Sequence, residues 1–177
     1  MKELKNRLEL AKYFADLGYV EGAEIGVLGG SYSEVLCQVN PNLKLYCIDS
    51  WGRDGGKLAD YHMRKYEEAR KRLEPYKTKL MRMNSMEAVE QFKNESLDFV
   101  YIDANHSFDA IMRDLIEWTM RVRKSGIIAG HDYADGPRVG VKDAVDTYVK
   151  HHFLRLHLTE QADSHGVSWW FKKRWNI

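Results

Sequence analysis

Two short stretches of the chain each set a carboxylate close to an imidazole. In Tyr101-Ile102-Asp103-Ala104-Asn105-His106-Ser107 the acid and the base stand three residues apart. In Ile127-Ile128-Ala129-Gly130-His131-Asp132-Tyr133 they are neighbours. Histidine is the side chain that most readily accepts a proton near neutral pH, and paired carboxylate oxygens are what a hard divalent cation such as Mg²⁺ takes. Singly, each of these residues reads equally well as a cap or a satisfied loop group. Brought to one rim, two Asp and two His could supply a general base and a cation site.

Three other segments could bind a ligand. Glu24-Ile25-Gly26-Val27-Leu28-Gly29-Gly30-Ser31 is a glycine-rich turn whose Gly26 and Gly30 would let a ligand approach the backbone, although an ordinary strand-to-helix turn has the same composition. Asp49 is placed to accept hydrogen bonds from a ribose diol, or to cap a helix. Met83-Asn84-Ser85-Met86 offers an amide, a hydroxyl and a thioether, which suit the edge and face of adenine; Ser85 would equally serve as a helix cap. The glycines do not match the Gly-x-Gly-x-x-Gly spacing that cradles a dinucleotide pyrophosphate. A nicotinamide oxidoreductase is therefore disfavoured, whereas an uncharged or zwitterionic nucleoside needs no such cradle.

The elements that must position these residues alternate. Helical periodicity marks an N-terminal helix within 1–19, and apolar runs at 23–27, 43–48, 78–83, 97–102 and 127–129 read as strands, each closed by a polar loop. Helical stretches at 32–39, about 58–74, 85–93, 107–123 and 138–150 separate them. Such a βαβα alternation predicts a parallel sheet covered by helices on both faces. Ligands then collect beyond the carboxyl ends of the strands, where the segments above lie. The runs at 153–159 and 167–172 predict a terminal antiparallel hairpin. Within it Trp169 and Trp170 alternate, which assigns one to the core and one to a partner surface. Lys172-Lys173-Arg174 reads as a solvated ending.

Composition narrows the classes further. The 177 residues suffice for one domain, spanning 1–177, and 27 Lys plus Arg against 26 Asp plus Glu leave a formal net charge of +1. No single-sign block offers nucleic acid or an anionic membrane a footing. No apolar run reaches the roughly 20 residues of a membrane span. The charged, amphipathic start MKELKNRLELAKYFADLGY lacks the apolar block of a signal peptide, so a cytoplasmic location is expected. Cys37 and Cys47 lie in apolar surroundings without metal-site spacing. A homodimer is left open.

At this point the chain resembles a known family. The runs AEIGVLGGSYSEVL, LYCIDSW, RMNSMEAVEQF, DFVYIDANHSFDAIMRDLIEW and IIAGHDY followed by GVKDAVDTY are similar, in order, to those of class I S-adenosylmethionine-dependent methyltransferases. The likeness is to the small bacterial O-methyltransferases of the macrocin or sugar type and, more distantly, to catechol-type enzymes; it covers about residues 20–172. It implies a Rossmann-like three-layer α/β sandwich with a seven-stranded, mostly parallel sheet in the order 3-2-1-4-5-7-6 and an antiparallel C-terminal hairpin. It also implies S-adenosylmethionine as cofactor, with Glu24, Gly26, Gly30 and Ser31 around the methionine moiety, Asp49 on the ribose, and Ser85 with Met86 beside adenine. Asp103 would lie by the methyl donor and, with Asp132, hold a metal such as Mg²⁺. His106 would be the base, with His131 as its alternative. Lys124-Ser125-Gly126 replaces the family's usual Pro-Gly-Gly, and Tyr133 stands where catechol-type enzymes have Asn.

The expected function is methyl transfer to a hydroxyl of a small acceptor, a sugar or another hydroxylated metabolite. The alternative is a cofactor-binding module without that activity, acting through protein partners. Trp51-Gly52-Arg53-Asp54-Gly55-Gly56-Lys57, with Tyr61, His62 and Tyr66 beyond it, could fold over the acceptor as a mobile lid, although a solvated loop and an ordinary amphipathic helix explain the same residues.

Overall fold

The computed structural model describes residues 3–53, 55–135, 140–161 and 166–175. Asn6 caps the first helix, α1 (Arg7–Asp16), by accepting from the Glu9 N–H at 3.2 Å, and Leu10, Ala11 and Phe14 give it one buried face. The chain continues through β1 (Glu21–Ile25), α2 (Ser31–Val39), β2 (Lys44–Asp49), α3 (Ala59–Leu73), β3 (Thr78–Arg82) and α4 (Ser85–Val89). It then forms β4 (Leu97–Ile102), α5 (Phe108–Arg121), β5 (Val122–Tyr133), α6 (Val141–His151), β6 (His157–Leu158) and β7 (Val167–Lys172). One sheet runs β3-β2-β1-β4-β5-β7-β6. Pairing is parallel from β3 to β5 and antiparallel at β5–β7 and β6–β7.

Alternation along the strands divides the core into two faces. Val100 and Ile102 of β4 join Ile111, Leu115 and Trp118 of α5 and the buried residues of α6 on one side. Phe99 and Tyr101 join Phe14 of α1, Leu36 of α2 and Leu73 of α3 on the other. Helices therefore cover both faces, giving the three-layer Rossmann-like sandwich. Among the described residues no helix is long and apolar enough to cross a membrane.

Four sequence expectations change. Strand β5 has 12 residues rather than three, because the polar stretch before Gly126 also extends. There Ser125 donates to the Lys173 carbonyl and Lys173 to that of Gly126, while Arg123 pairs with Asp98 at 2.7 Å. Strand β6 keeps only two residues, and Phe153, with φ 52°, lies outside it. Trp169 and Trp170 are both buried, on opposite faces of the sheet, so neither forms a partner surface. Lys173 is buried as well: its Nζ donates to the Val122 carbonyl at 2.7 Å and lies 3.5 Å from Glu95, so the basic ending is not simply solvated.

Asp98 ties β1 to β4 by accepting from the Val20 and Glu21 N–H groups at 2.7 and 2.9 Å and from Arg123. Burial pushes its carboxyl up, but these donors more than reverse that and hold it below the usual value. Asp98→Ala strands all three donors, so chemical denaturation at pH 7 should show a loss of about 1–3 kcal/mol. Because the folded pKa is depressed, the difference from wild type should be present above about pH 4 and vanish as pH falls through the folded value.

Candidate active site

The site begins where β1 and β4 end side by side. Gly26 adopts φ +92°, and a Cβ there would stand 2.0 Å from the Asp103 carbonyl oxygen, so only glycine lets the two strand ends close to this distance. The Gly26 N–H is satisfied by the Ile48 carbonyl and that of Asp103 by Ile25. Above these ends opens a cavity of about 790 Å³, whose wall includes residues from the ends of β1, β2, β4 and β5.

At one end lies Glu24, 2% exposed, its carboxylate accepting from the Ser33 hydroxyl. Burial raises its pKa to about 8, with the Ser33 bond opposing. A cation arriving beside Glu24 would restore its charge. Gly29 lines the cavity, whereas Gly30 is turned to α3, where a Cβ would meet Ala69 and Leu73. Ser31 lines the cavity and accepts from Arg72 at 3.1 Å.

Asp49 also lines the cavity, yet its carboxylate is already employed. One oxygen accepts from the Val27 and Leu28 N–H groups at 3.1 and 2.9 Å, the other from Trp51 at 2.8 Å. It therefore clamps the glycine-rich turn to the end of β2, leaving at most one lone-pair direction for a ligand hydroxyl.

In the next wall Asn84, not Ser85, caps α4, accepting from the Glu87 N–H at 2.9 Å. Ser85 instead donates to Asp114 and accepts from the Trp118 indole at 2.7 Å; Met86 lines the cavity beside it. Asp114, 4% exposed and pushed by burial up to about 6, is a wall residue that motif reading missed. Its signal was an acid inside the apolar stripe Ile111, Leu115, Trp118 of α5.

At the far end, His106 Nε2 lies 3.0 Å from Asp132 Oδ2 and 3.9 Å from Asp103 Oδ1, and His131 Nδ1 lies 3.4 Å from Asp132 Oδ1. His131 and Asp132 are adjacent in β5, where alternation should point them apart. A register shift between Gly130 and Tyr133, with Asp132 at φ 57°, turns both into the cavity. The Trp169 indole fastens this bulge by donating to the His131 carbonyl at 3.0 Å. Asp103, His131 and Asp132 each bring a ligand atom within 4.8 Å of the others, an oxygen-rich set with one imidazole that fits a divalent cation.

The electrostatics of this cluster are tightly linked. Facing the Asp103 carboxylate and donating to that of Asp132, His106 is raised to about 10, which favours the imidazolium at neutral pH while no other cation shares their charge. Burial raises Asp103, with His106 opposing; burial would raise Asp132 too, but His106 and His131 hold it well below the usual range.

The expected lid is only partly a loop. Trp51 is fully buried, its indole donating to the Leu28 carbonyl at 2.7 Å and its ring edge-on to Tyr66, so it is an anchor rather than a moving part. Arg53 pairs with Glu87 at 2.6 Å and His62 lines the cavity, while Tyr61 is exposed. Asp54 lies outside the described residues.

Two tests follow from these contacts. Asp49→Ala should lower ligand-free stability by about 1–3 kcal/mol, because three backbone donors lose their acceptor; unchanged ligand-free melting would show that the clamp contributes nothing. In cation-free protein the His106 pairing, with the imidazole raised from 6.5 to about 10, should stabilise the fold fully below pH 6.5. That contribution should disappear as pH rises through about 10, read as convergence of wild-type and His106→Gln melting temperatures.

A family profile described as "Methyltransferase domain" matches residues 23–133. Comparison with curated proteins gives no significant match. Among solved structures, the O-methyltransferase from Bacillus cereus in complex with SAH has a TM-score of 0.70 at 16% identity, covering 94% of this chain and 80% of that one. TomG, an O-methyltransferase from Streptomyces achromogenes involved in tomaymycin synthesis and solved with SAM, gives 0.69 at 17% identity, covering 94% and 79%. A Clostridium thermocellum protein described as an rRNA-methylase candidate gives 0.67 at 13% identity, covering 97% and 100%. These likenesses are of fold. The profile, by contrast, runs from β1 through β5, the strands whose ends build the cavity, and the chain thus belongs to the methyltransferase-domain family as a class I S-adenosylmethionine-dependent methyltransferase.

Proposed function

We propose that the protein transfers the methyl group of S-adenosylmethionine to a hydroxyl of a small acceptor, a sugar or another hydroxylated metabolite. The observation that carries this reading is continuity: one cavity joins the buried Glu24, the turn at Gly26 and the Ser85–Asp114 wall to the cluster of Asp103, His106, His131 and Asp132. Its volume of about 790 Å³ has room for a nucleoside and a small second molecule. The net charge of +1 speaks against a polyanionic acceptor. The printed descriptions of the Bacillus and Streptomyces structures, both O-methyltransferases, support the same chemistry.

A sulfonium is already a good leaving group, so the protein's task is alignment of oxygen, methyl carbon and sulfur, and removal of one proton. Glu24 would take the ammonium of the donor, the remaining lone pair of Asp49 a ribose hydroxyl, and Ser85 with Met86 the adenine. Asp103, His131 and Asp132 would hold a divalent cation, which when bound lowers the pKa of the acceptor hydroxyl. The imidazole in this set favours Mn²⁺ or another transition metal over Mg²⁺. His106 acts as base in its neutral form, populated once the charge of Asp103 and Asp132 is shared with a second cation.

His106→Ala should lower kcat by roughly 10²–10⁴ and leave binding of S-adenosylhomocysteine intact. Full activity of that variant would move the base to His131. Chelation should abolish turnover, with Mn²⁺ or Mg²⁺ restoring it; full activity in EDTA would eliminate the cation. A wild-type protein that binds S-adenosylhomocysteine but methylates no member of a broad panel of hydroxylated acceptors would be a binding module instead.

A further inference from the structure

The first helix contributes to the cavity in a way the motifs do not register. Arg7, its first residue, lines the same cavity as Glu24, with its guanidinium 5.5 Å from the ring centroid of Tyr32. The start of α1 is fixed there by backbone contacts. The Tyr32 hydroxyl donates to the Arg7 carbonyl at 3.0 Å, and the Glu160 and Gln161 N–H groups donate to the carbonyls of Leu4 and Lys5 at 3.0 and 2.8 Å. The charge of Arg7 is felt at Glu24, where it opposes the effect of burial on the carboxyl. One end of the cavity thus presents a carboxyl and a guanidinium together, the complement of an amino acid zwitterion.

We propose that Arg7 receives the carboxylate of the cofactor's amino acid end while Glu24 receives its ammonium, so that α1 completes the donor site. This assignment rests on the reading of the cavity as an S-adenosylmethionine site. Of the other side chains near the turn, Asp49 and Asp103 repel a carboxylate, and the Ser31 hydroxyl, which accepts from Arg72, has a single neutral O–H to offer it. A guanidinium matches a carboxylate with two parallel donors. The other arginine of the wall, Arg113, stands on α5 next to Asp114, the partner of Ser85, at the adenine end of the proposed pose. The backbone bonds that fix the start of α1 do not involve the Arg7 side chain, so binding of ligands that lack the carboxylate reports whether the cavity survives its replacement.

Isothermal titration calorimetry with S-adenosylhomocysteine, its decarboxylated analogue and 5′-methylthioadenosine tests this. Arg7→Gln should weaken S-adenosylhomocysteine by about tenfold or more and leave the decarboxylated analogue and 5′-methylthioadenosine unchanged. Arg7→Lys should restore part of the loss, keeping the charge without the fork. Unchanged binding of S-adenosylhomocysteine by Arg7→Gln, or equal weakening of all three ligands, would overturn the assignment. A loss specific to the carboxylate in Arg113→Gln instead would move it to the other end. Failure of the wild type to bind any of the three would remove the nucleoside reading and this assignment with it, whereas tight wild-type binding without an Arg7 effect would remove the assignment alone.

Discussion

The approach of Gly26 to the Asp103 carbonyl is the constraint on which the site depends. Strands β1 and β4 lie side by side where the strand order reverses, and their ends must come close for the crevice above them to have a common floor. With a side chain at position 26 the turn after β1 would be pushed away from β4. The Asp49 clamp would then lose its geometry, since it binds the N–H groups of Val27 and Leu28 just beyond. Three strand ends are thereby registered by one missing Cβ and one carboxylate. The ligand groups at either end of the cavity inherit their separation from that register.

The cavity wall carries its charge in two unlike forms. At the Glu24 end burial suppresses the negative charge, and the carboxyl waits for a cation to restore it. At the Asp132 end the negative charge is retained because His106 and His131 face it. The protonated His106 occupies the electrostatic place that a metal ion or a sulfonium would otherwise fill, which makes the free cluster stable and its imidazole a poor base at once. A positively charged ligand beside Asp103 and Asp132 would compete with that imidazolium for their charge.

Much of this was legible from types and spacing. The strand ends were readable because each apolar run stops at a polar, chemistry-bearing residue, and Asp49, Asp103 and Asp132 all line the cavity. Less legible was what each side chain does once there. That Asp49 spends its oxygens on backbone donors, or that Ser85 leaves the cap to Asn84 and bonds Asp114, depends on contacts between residues distant in sequence. Adjacent His131 and Asp132 should diverge on a regular strand, and only the bulge reconciles them. Lys173 read as solvated because charge usually means surface, while its ammonium in fact satisfies a buried carbonyl of Val122.

The C-terminal hairpin, the part of the chain farthest in sequence from the ligand motifs, holds both ends of the site. Trp169 fixes the bulge that aims His131 and Asp132, and the same ring lies so close to Gly130 that a Cβ there would come within 2.4 Å of it. Beyond β6, the N–H groups of Glu160 and Gln161 pin the segment that leads into α1 and thus set the position of Arg7. One antiparallel addition to a parallel sheet therefore fastens both the acid–imidazole cluster and the helix bearing Arg7. The distance between the two ends of the cavity is set through the hairpin as much as through the strand ends beneath it, so a displacement of β7 would be felt at both.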